Sequence, residues 1–439
     1  MGAAAGLRRN FKNEGFMKRK SWSISFVVLF FFASQLAAQH WQQASPEEVG
    51  LSSERLQQIS QVFQRYISDK QLAGAVIFVA RHGKIAYHEA FGMRDIENGS
   101  AMPKDGIFRI ASQSKALVST AAMILQERGA LLLSDPVSKF IPEFAKTTVA
   151  TTKDDGSVEI VPAKREITVH DLLTHTSGAS YGNGPAKDQW AAAGIQGWYF
   201  ADREEPIADT IKRLAALPFD TQPGERFVYG YSTDILGVVV ERASGQPLDV
   251  FLRENIFTPL GMNDTQFYLQ KDQIERFVTV YSLGESGTIE RTPDSGTMVS
   301  QGAYVQGPRK SFSGGAGLLS TAKDYATFLQ MMLNGGEFHG QRILSRKTVE
   351  LMTVDHLGQV YNRSNGTGFG LGFWVLEDLG ARKTLGTVGE FGWGGAYHTT
   401  YWVDPQEQLV VSYMTQLIPA RGIRDHEMVR TLVYQAIVD

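Results

Sequence analysis

Three serines stand in contexts that could make them nucleophiles. Ser180 lies in GASYG, a G-x-S-x-G pattern, while Ser112 and Ser320 each open an S-x-x-K, in SQSK and STAK. A serine hydroxyl attacks an acyl carbonyl well only when a neighbouring group takes its proton. For Ser180 that group would be a histidine, and Asp404 and His426 follow in the chain order such a triad uses. The motif works from a sharp turn between a strand and a helix. Here a helical pattern precedes it and the loop-forming YGNGPAKD follows. A glycine-rich loop is the simpler account of GASYG.

About one S-x-x-K match is expected by chance in about 400 residues, so context must separate the other two. Ser320 follows GGAGLL and precedes a helix with Asp324 in its first turn, which makes its hydroxyl an expected N-cap. Ser112 follows the β-prone IFRIA and opens a helix whose Leu117, Ala121, Met123 and Ile124 are apolar enough to be buried. At i and i+3, Ser112 and Lys115 share one face of its first turn. A desolvated lysine at the positive end of a helix dipole can accept a hydroxyl proton near neutral pH. The same helix end stabilises negative charge that develops beside the serine. Ser112 is the expected nucleophile and Lys115 its base.

The elements that must position this pair follow from periodicity. SSERLQQISQVFQRYI puts Leu56, Ile59, Phe63, Tyr66 and Ile67 on one helical face. Two β-rich runs flank Arg81-His82-Gly83-Lys84 as a hairpin. The middle of the chain is helical and loop-rich, with a hairpin at Asp154-Asp155-Gly156, the helix VHDLLTHT, and a helix from near Ser232 to Gly245. Strands return near the C-terminus, around GFGLGFWVLED, WGGAYHTTYWV and QLVVSYMTQ, before a final amphipathic helix from about Arg424 to Val438. Strands at both ends with helices between predict one sheet built from the two termini and a separate helical lobe.

Composition narrows the function. The 439 residues are 43% hydrophobic and 20% charged with a net charge of −3, which leaves no basic footprint for nucleic acid. The chain has no cysteine, hence no disulfide, thiolate nucleophile or lipidated N-terminal cysteine. Lys18, Arg19 and Lys20 precede SWSISFVVLFFFASQLAAQ, a basic region before an apolar run too short to span a bilayer. This predicts a signal peptide over residues 1–38, with Met17 as an alternative start and cleavage before Gln39. The mature chain is then expected in the periplasm or outside the cell, with no stable membrane anchor.

Across the mature chain the sequence resembles the serine β-lactamase and penicillin-binding-protein family, closest to the class C β-lactamase branch and its carboxylesterase members. FRIASQSKALVSTAAMILQERGALLLSDPVSKFIPEF resembles the family's S-x-x-K block, and ITVHDLLTHTSG the block after it. PGERFVYGYSTDILGVVVERASGQPLDVFLRENIFTPLGM resembles the second motif's block, and GWGGAYHTTYWVDPQEQLVVSYMTQ the third's. The resemblance implies a β-lactamase/transpeptidase-like α/β (α+β) fold, an antiparallel sheet flanked by helices plus a helical subdomain. One catalytic domain would run over 39–439, its α/β lobe from about 46–133 and 305–439 and its helical lobe from about 134–304.

It also implies roles. The second motif is Y-x-N, whose tyrosine relays protons between lysine, serine and leaving group. Here it falls on Tyr229, with Tyr231 in the asparagine's place. The third motif, K-T-G in penicillin-recognising members, reads Trp393-Gly394-Gly395, a departure shared with esterases of the same fold. By analogy the backbone N–H groups of Ser112 and Ala396 form the oxyanion hole. Tyr181 resembles a tyrosine that lines the esterase pocket. Period-2 alternation puts His398 on the same side of the strand as Ala396, as a further pocket residue.

His170 and His175, five apart, are expected in core or solvent roles, so no metal is expected, and the chemistry needs no cofactor. Together these readings describe a secreted serine hydrolase acting through a Ser112 acyl-enzyme on a small ester or amide. Three alternatives compete with it. One is a β-lactamase or D-amino-acid peptidase of the same fold, another an inactive binding homologue, and the third an α/β-hydrolase using Ser180.

Overall fold

A computed structural model of the chain describes residues 41–361 and 363–439. The expected signal peptide and its cleavage point fall on residues 1–40, outside the described residues. Trp41–Asp439 forms one compact unit.

Its centre is a nine-stranded mixed sheet. The strands are β1 (Gln42–Gln43), β2 (Gly74–Arg81), β3 (Lys84–Asp95), β4 (Ser100–Ala101), β5 (Thr367–Phe369), β6 (Trp374–Leu376), β7 (Phe391–Gly395), β8 (Thr399–Asp404) and β9 (Leu409–Thr415). They are ordered β1-β3-β2-β9-β8-β7-β6-β5, with β4 on β3. Only β1 runs parallel to its neighbour. The sheet thus joins the first strands of the unit to the last, as the sequence predicts. β2 and β3 form the expected hairpin, with His82 and Gly83 both at positive φ in a two-residue turn.

Alternation along the strands divides the core. Ala75, Ile77, Val79, Trp402, Val411 and Tyr413 face α1 (Ser53–Ser68) and, near the C-terminus, the helix Asp425–Tyr434. Val76, Phe78, Tyr401, Val403, Val410 and Met414 face the other way, into the larger core that holds α2 (Ser114–Glu127), α3 (Ser232–Ser244) and α4 (Ala322–Leu333). The C-terminal helix is called α5 below. β2 is buried at all eight positions because both of its faces are covered.

Two short pairings fix what lies before Ser112. Phe108–Arg109 pairs antiparallel with Leu319–Ser320, and the Ile110 N–H reaches the Leu318 carbonyl at 3.1 Å. The buried Arg109 guanidinium donates to the carbonyls of Gln301 and Val278 and to Gln416 Oε1, and packs 3.8 Å from the Phe277 ring. Segments distant in sequence are thereby pinned beneath the start of α2.

The expectation for Ser320 is off by one residue. Ser320 sits in the strand pair and bonds Thr265 Oγ1 at 2.8 Å, while Thr321 caps α4 by accepting the Asp324 N–H at 3.1 Å. Strand pairing holds Ser320 before the turn, so the cap's contribution of about 1 kcal/mol belongs to Thr321. Lys323, the other half of that S-x-x-K, is exposed.

Candidate active site

Ser112 lies in the tight 3-10 turn Ala111–Gln113 that leads into α2. The preceding Ala111 is fully buried with φ of +41°, a left-handed conformation that costs a non-glycine residue of order 1–3 kcal/mol. The surroundings hold it there. Lys115 follows in the first turn of α2, 2% exposed. Its Nζ bonds Ser112 Oγ at 3.1 Å, the Tyr181 hydroxyl at 3.2 Å and the Gly315 carbonyl at 2.6 Å. Among the described residues no carboxylate forms an ion pair with Lys115 Nζ. Asp234, fully buried, acts on it through space, its carboxyl pushed up by burial against the opposing hydrogen bond from Ser313 and the charge of Lys115.

The sequence did not announce the Gly315 carbonyl as a partner. Asp234 sits five residues after Tyr229 and accepts from Ser313 Oγ at 2.6 Å and the Gly315 N–H at 3.0 Å. A Cβ on Gly315 would lie 2.4 Å from the Asp234 carboxylate, so only glycine fits between Asp234 and Lys115. The run of small residues in SGGAG was the available signal.

Two tyrosines flank the lysine. Tyr181 makes the hydrogen bond, and burial, then the neighbouring Tyr229, Asp234 and Tyr231, pushes its hydroxyl well above the usual phenol range. It is a protonated phenol at neutral pH. Tyr229 stands on the other side, its ring centroid 4.7 Å from Lys115 Nζ and its hydroxyl accepting from Trp393 Nε1 at 3.1 Å. Gly230 permits this arrangement, since a Cβ there would be 2.2 Å from the Ala179 carbonyl. Tyr231 does not line the crevice, contrary to expectation. It is buried behind Tyr181, stacked on Trp190, with its hydroxyl donating to the Gly197 carbonyl at 2.5 Å. Its place at the start of α3 turns it away from Tyr229.

The third motif meets the first along β7. A Cβ on Gly395 would lie 2.4 Å from the Ile110 carbonyl, so the end of β7 presses on the backbone that leads to Ser112. Ala396 follows at the exposed tip of the β7–β8 hairpin. Around Trp393 and Tyr229 the wall is aromatic, made by Phe227, Phe369 and His175. Burial, and then Lys115, holds the His175 imidazole well below its usual range, so it stays neutral. His170 instead bonds His356 at 3.2 Å.

His398 is not a pocket residue. The turn Ala396–His398 breaks the strand alternation, and the imidazole donates to Asp425 at 2.7 Å. The Ser180 triad does not assemble. Ser180 is 4% exposed and its Oγ accepts the Gly182 N–H, His426 bonds the His398 carbonyl, and Asp404 bonds Tyr434. A separate cavity of about 380 Å³, lined by Arg253, Phe257, Phe267 and Arg309 among others, touches none of these side chains.

The geometry has a counterpart in known proteins. The β-lactamase family model matches residues 59–430. The chain belongs to the β-lactamase family. Among relatives of this β-lactamase-family chain, protein Rv1367c of Mycobacterium tuberculosis is 36% identical over 366 residues, covering 79% of this chain and 86% of that protein. Esterase EstB of Burkholderia gladioli is 33% identical over 370 residues, covering 81% and 88%. The solved structure of EstCE1, described as a hydrolase with promiscuous acyltransferase activity, superposes with a TM-score of 0.75 at 27% identity, covering 87% of this chain and 99% of that one. The β-lactamase/transpeptidase-like fold expected from the motifs is thus shown, and the protein is a serine hydrolase of the β-lactamase and esterase family. A fold of this family has no place for the α/β-hydrolase alternative.

Proposed function

We propose that the protein is a carboxylesterase of small, neutral esters that works through a Ser112 acyl-enzyme. The observation that carries this reading is the Lys115–Ser112 hydrogen bond at 3.1 Å, set beside an aromatic wall in which Trp393 stands where penicillin-recognising relatives carry lysine. Lys115 Nζ, as the base, takes the Ser112 proton as Oγ attacks the acyl carbonyl. The Ser112 and Ala396 N–H groups hold the resulting oxyanion. As the tetrahedral species collapses, the C–O bond to the alkoxide breaks and the proton passes to that leaving oxygen, with Tyr229 and the protonated Tyr181 as its relay. Water then attacks the acyl-enzyme with Lys115 again as base, releasing the acid and restoring Ser112. Export fits the same reading, and the secreted protein is expected to begin at Gln39 on N-terminal sequencing; an intact Met1 or Met17 on soluble exported protein would refute it.

Substrate class follows from Trp393. β-Lactams and peptidoglycan stems carry a carboxylate near the scissile bond, which a K-T-G motif meets with cationic and hydroxyl donors. Here both side chains are gone, and a carboxylate stripped of water against an indole has no compensation. Losing one charge-assisted hydrogen bond costs about 1.5–3 kcal/mol, or about ten- to hundredfold in rate. We expect kcat/KM for p-nitrophenyl butyrate to exceed that for nitrocefin by at least that factor, and Trp393→Lys to narrow the gap. Nitrocefin turned over faster than the ester by the wild type would favour the β-lactamase or D-amino-acid peptidase reading.

A further inference from the structure

The hairpin that carries Ala396 contains an anomaly. Gly395 and Thr399 face each other across β7 and β8, leaving Ala396, Tyr397 and His398 as a three-residue connection, closed by a His398 N–H to Gly395 carbonyl bond of 2.9 Å. Such connections end on a residue in the left-handed region, which glycine occupies without strain. This one has His398 at φ of +69°. A β-carbon there is unfavourable, and a strained non-glycine persists only where its surroundings over-determine it.

Those surroundings are the first turn of α5. His398 Nε2–H donates to Asp425 Oδ1 at 2.7 Å, and His426 Nε2–H donates to the carbonyl of His398 itself at 3.1 Å. The two imidazoles stack, with centroids 3.9 Å apart and planes 19° from parallel. Asp425 is wholly buried and its second oxygen accepts from the Tyr413 hydroxyl of β9. Side chain and carbonyl of one turn residue are therefore both tied to one helix. Burial pushes the Asp425 carboxyl up, but the bond and charge of His398 outweigh it and leave the group below its usual range; burial brings His426 down to about 4. At neutral pH the clamp is a carboxylate beside a neutral His426.

His398, Asp425 and His426 also bring one ligand atom each within 4.8 Å of one another. Both Asp425 oxygens are already engaged, and each imidazole already donates through its Nε2. Hydrogen bonding accounts for the cluster without a cation.

We propose that His398 is a positioning residue for ester hydrolysis, which through Asp425 and His426 fixes the β7–β8 turn so that the Ala396 N–H points at the developing oxyanion. The proposal rests on the esterase reading above and on Ala396 as an oxyanion donor. An N–H on an unanchored turn contributes little, because the oxyanion hole works by being preorganised. A displacement of about 1 Å in such a group can cost about a hundredfold.

His398→Gly is the discriminating variant, because it relieves the backbone strain while removing the clamp. If the imidazole only fills a turn position, glycine should be neutral or stabilising and activity unchanged. We expect instead a fall of about ten- to hundredfold in kcat for p-nitrophenyl butyrate with KM within about twofold. Affinity for a phenylboronic acid, which forms a tetrahedral adduct on serine, should weaken in parallel. His398→Gln, which keeps a donor for Asp425, should recover part of both losses. Wild-type kcat and boronate affinity in His398→Gly would overturn the proposal, as would a loss confined to KM. So would a loss matched by a fallen Tm that His398→Gln does not reverse. A wild-type enzyme that neither cleaves the ester nor is labelled by a fluorophosphonate would instead defeat the esterase reading itself.

Discussion

Ser112→Ala is expected to abolish ester hydrolysis and fluorophosphonate labelling together, while Ser180→Ala and Ser320→Ala retain both. Removing the nucleophile of a serine hydrolase lowers kcat by about 10⁴-fold or more, because what remains is only binding and electrostatic stabilisation of the transition state. The other two serines are already engaged. Ser180 accepts a backbone N–H inside its loop and bonds the Asp220 carboxyl, and Ser320 bonds Thr265 within a strand pair, so neither hydroxyl meets a lysine as Ser112 does. Folding is not at stake at Ser112, since loss of one hydroxyl from a half-buried turn leaves the packing of α2 intact. A Ser180→Ala protein that folds yet is as inactive as Ser112→Ala would overturn the assignment.

Lys115 should show the second-largest effect and a different signature. Lys115→Ala removes the group bonded to Ser112, Tyr181 and Gly315 at once, and is expected to lower kcat by about 10³-fold, or about 4 kcal/mol. Ser112 remains, so labelling should slow without disappearing, which separates loss of the base from loss of the nucleophile. Lys115→Arg is the stricter test. A guanidinium keeps the charge but cannot give up its proton, so it can donate to Gly315 and still fail as a base. Thermal unfolding is measured on both variants, and a lowered Tm is expected for Lys115→Ala, in which the Gly315 carbonyl and Tyr181 hydroxyl lose a buried partner. An arginine variant with more than a tenth of wild-type kcat would move the proton transfer onto Tyr229 or Tyr181.

What the sequence made legible was local. Ser112 and Lys115 sit three apart on one helical turn, so their proximity follows from helix geometry alone. The hairpin at His82-Gly83 and the stop of α3 at Gly245 are likewise written in turn and cap chemistry. Contacts between remote segments were not legible. Nothing within YGYSTD tells which tyrosine faces Lys115 and which stacks on Trp190, because the start of α3 rotates the two apart. The bond from Tyr181 to Lys115 joins a loop to a helix, and the Gly315 carbonyl joins through Asp234. Ser320 and His398 differ from expectation at strand ends. The strand pair runs one residue further than the N-cap reading of Ser320 allows, and the alternation that places His398 beside Ala396 stops where β7 ends at Gly395.

The order of strands in the sheet also bears on how the polypeptide reaches its folded state. β2 lies between β3 and β9, and every residue of β2 except Gly74 pairs with one from β9, near the C-terminus. On the ribosome the early hairpin therefore waits with β2, apolar but for Arg81, unpaired on that side until almost the whole chain has emerged. Closing so long a loop before its contacts are rewarded makes the sheet slow to form, and unpaired apolar strands invite association in the interval. The helical middle can collapse during synthesis; the sheet, with the turn that carries Ala396, completes only afterwards. A chain organised in this way remains open to holdase chaperones for as long as its last strand is missing, which is the state that the export proposed above would require.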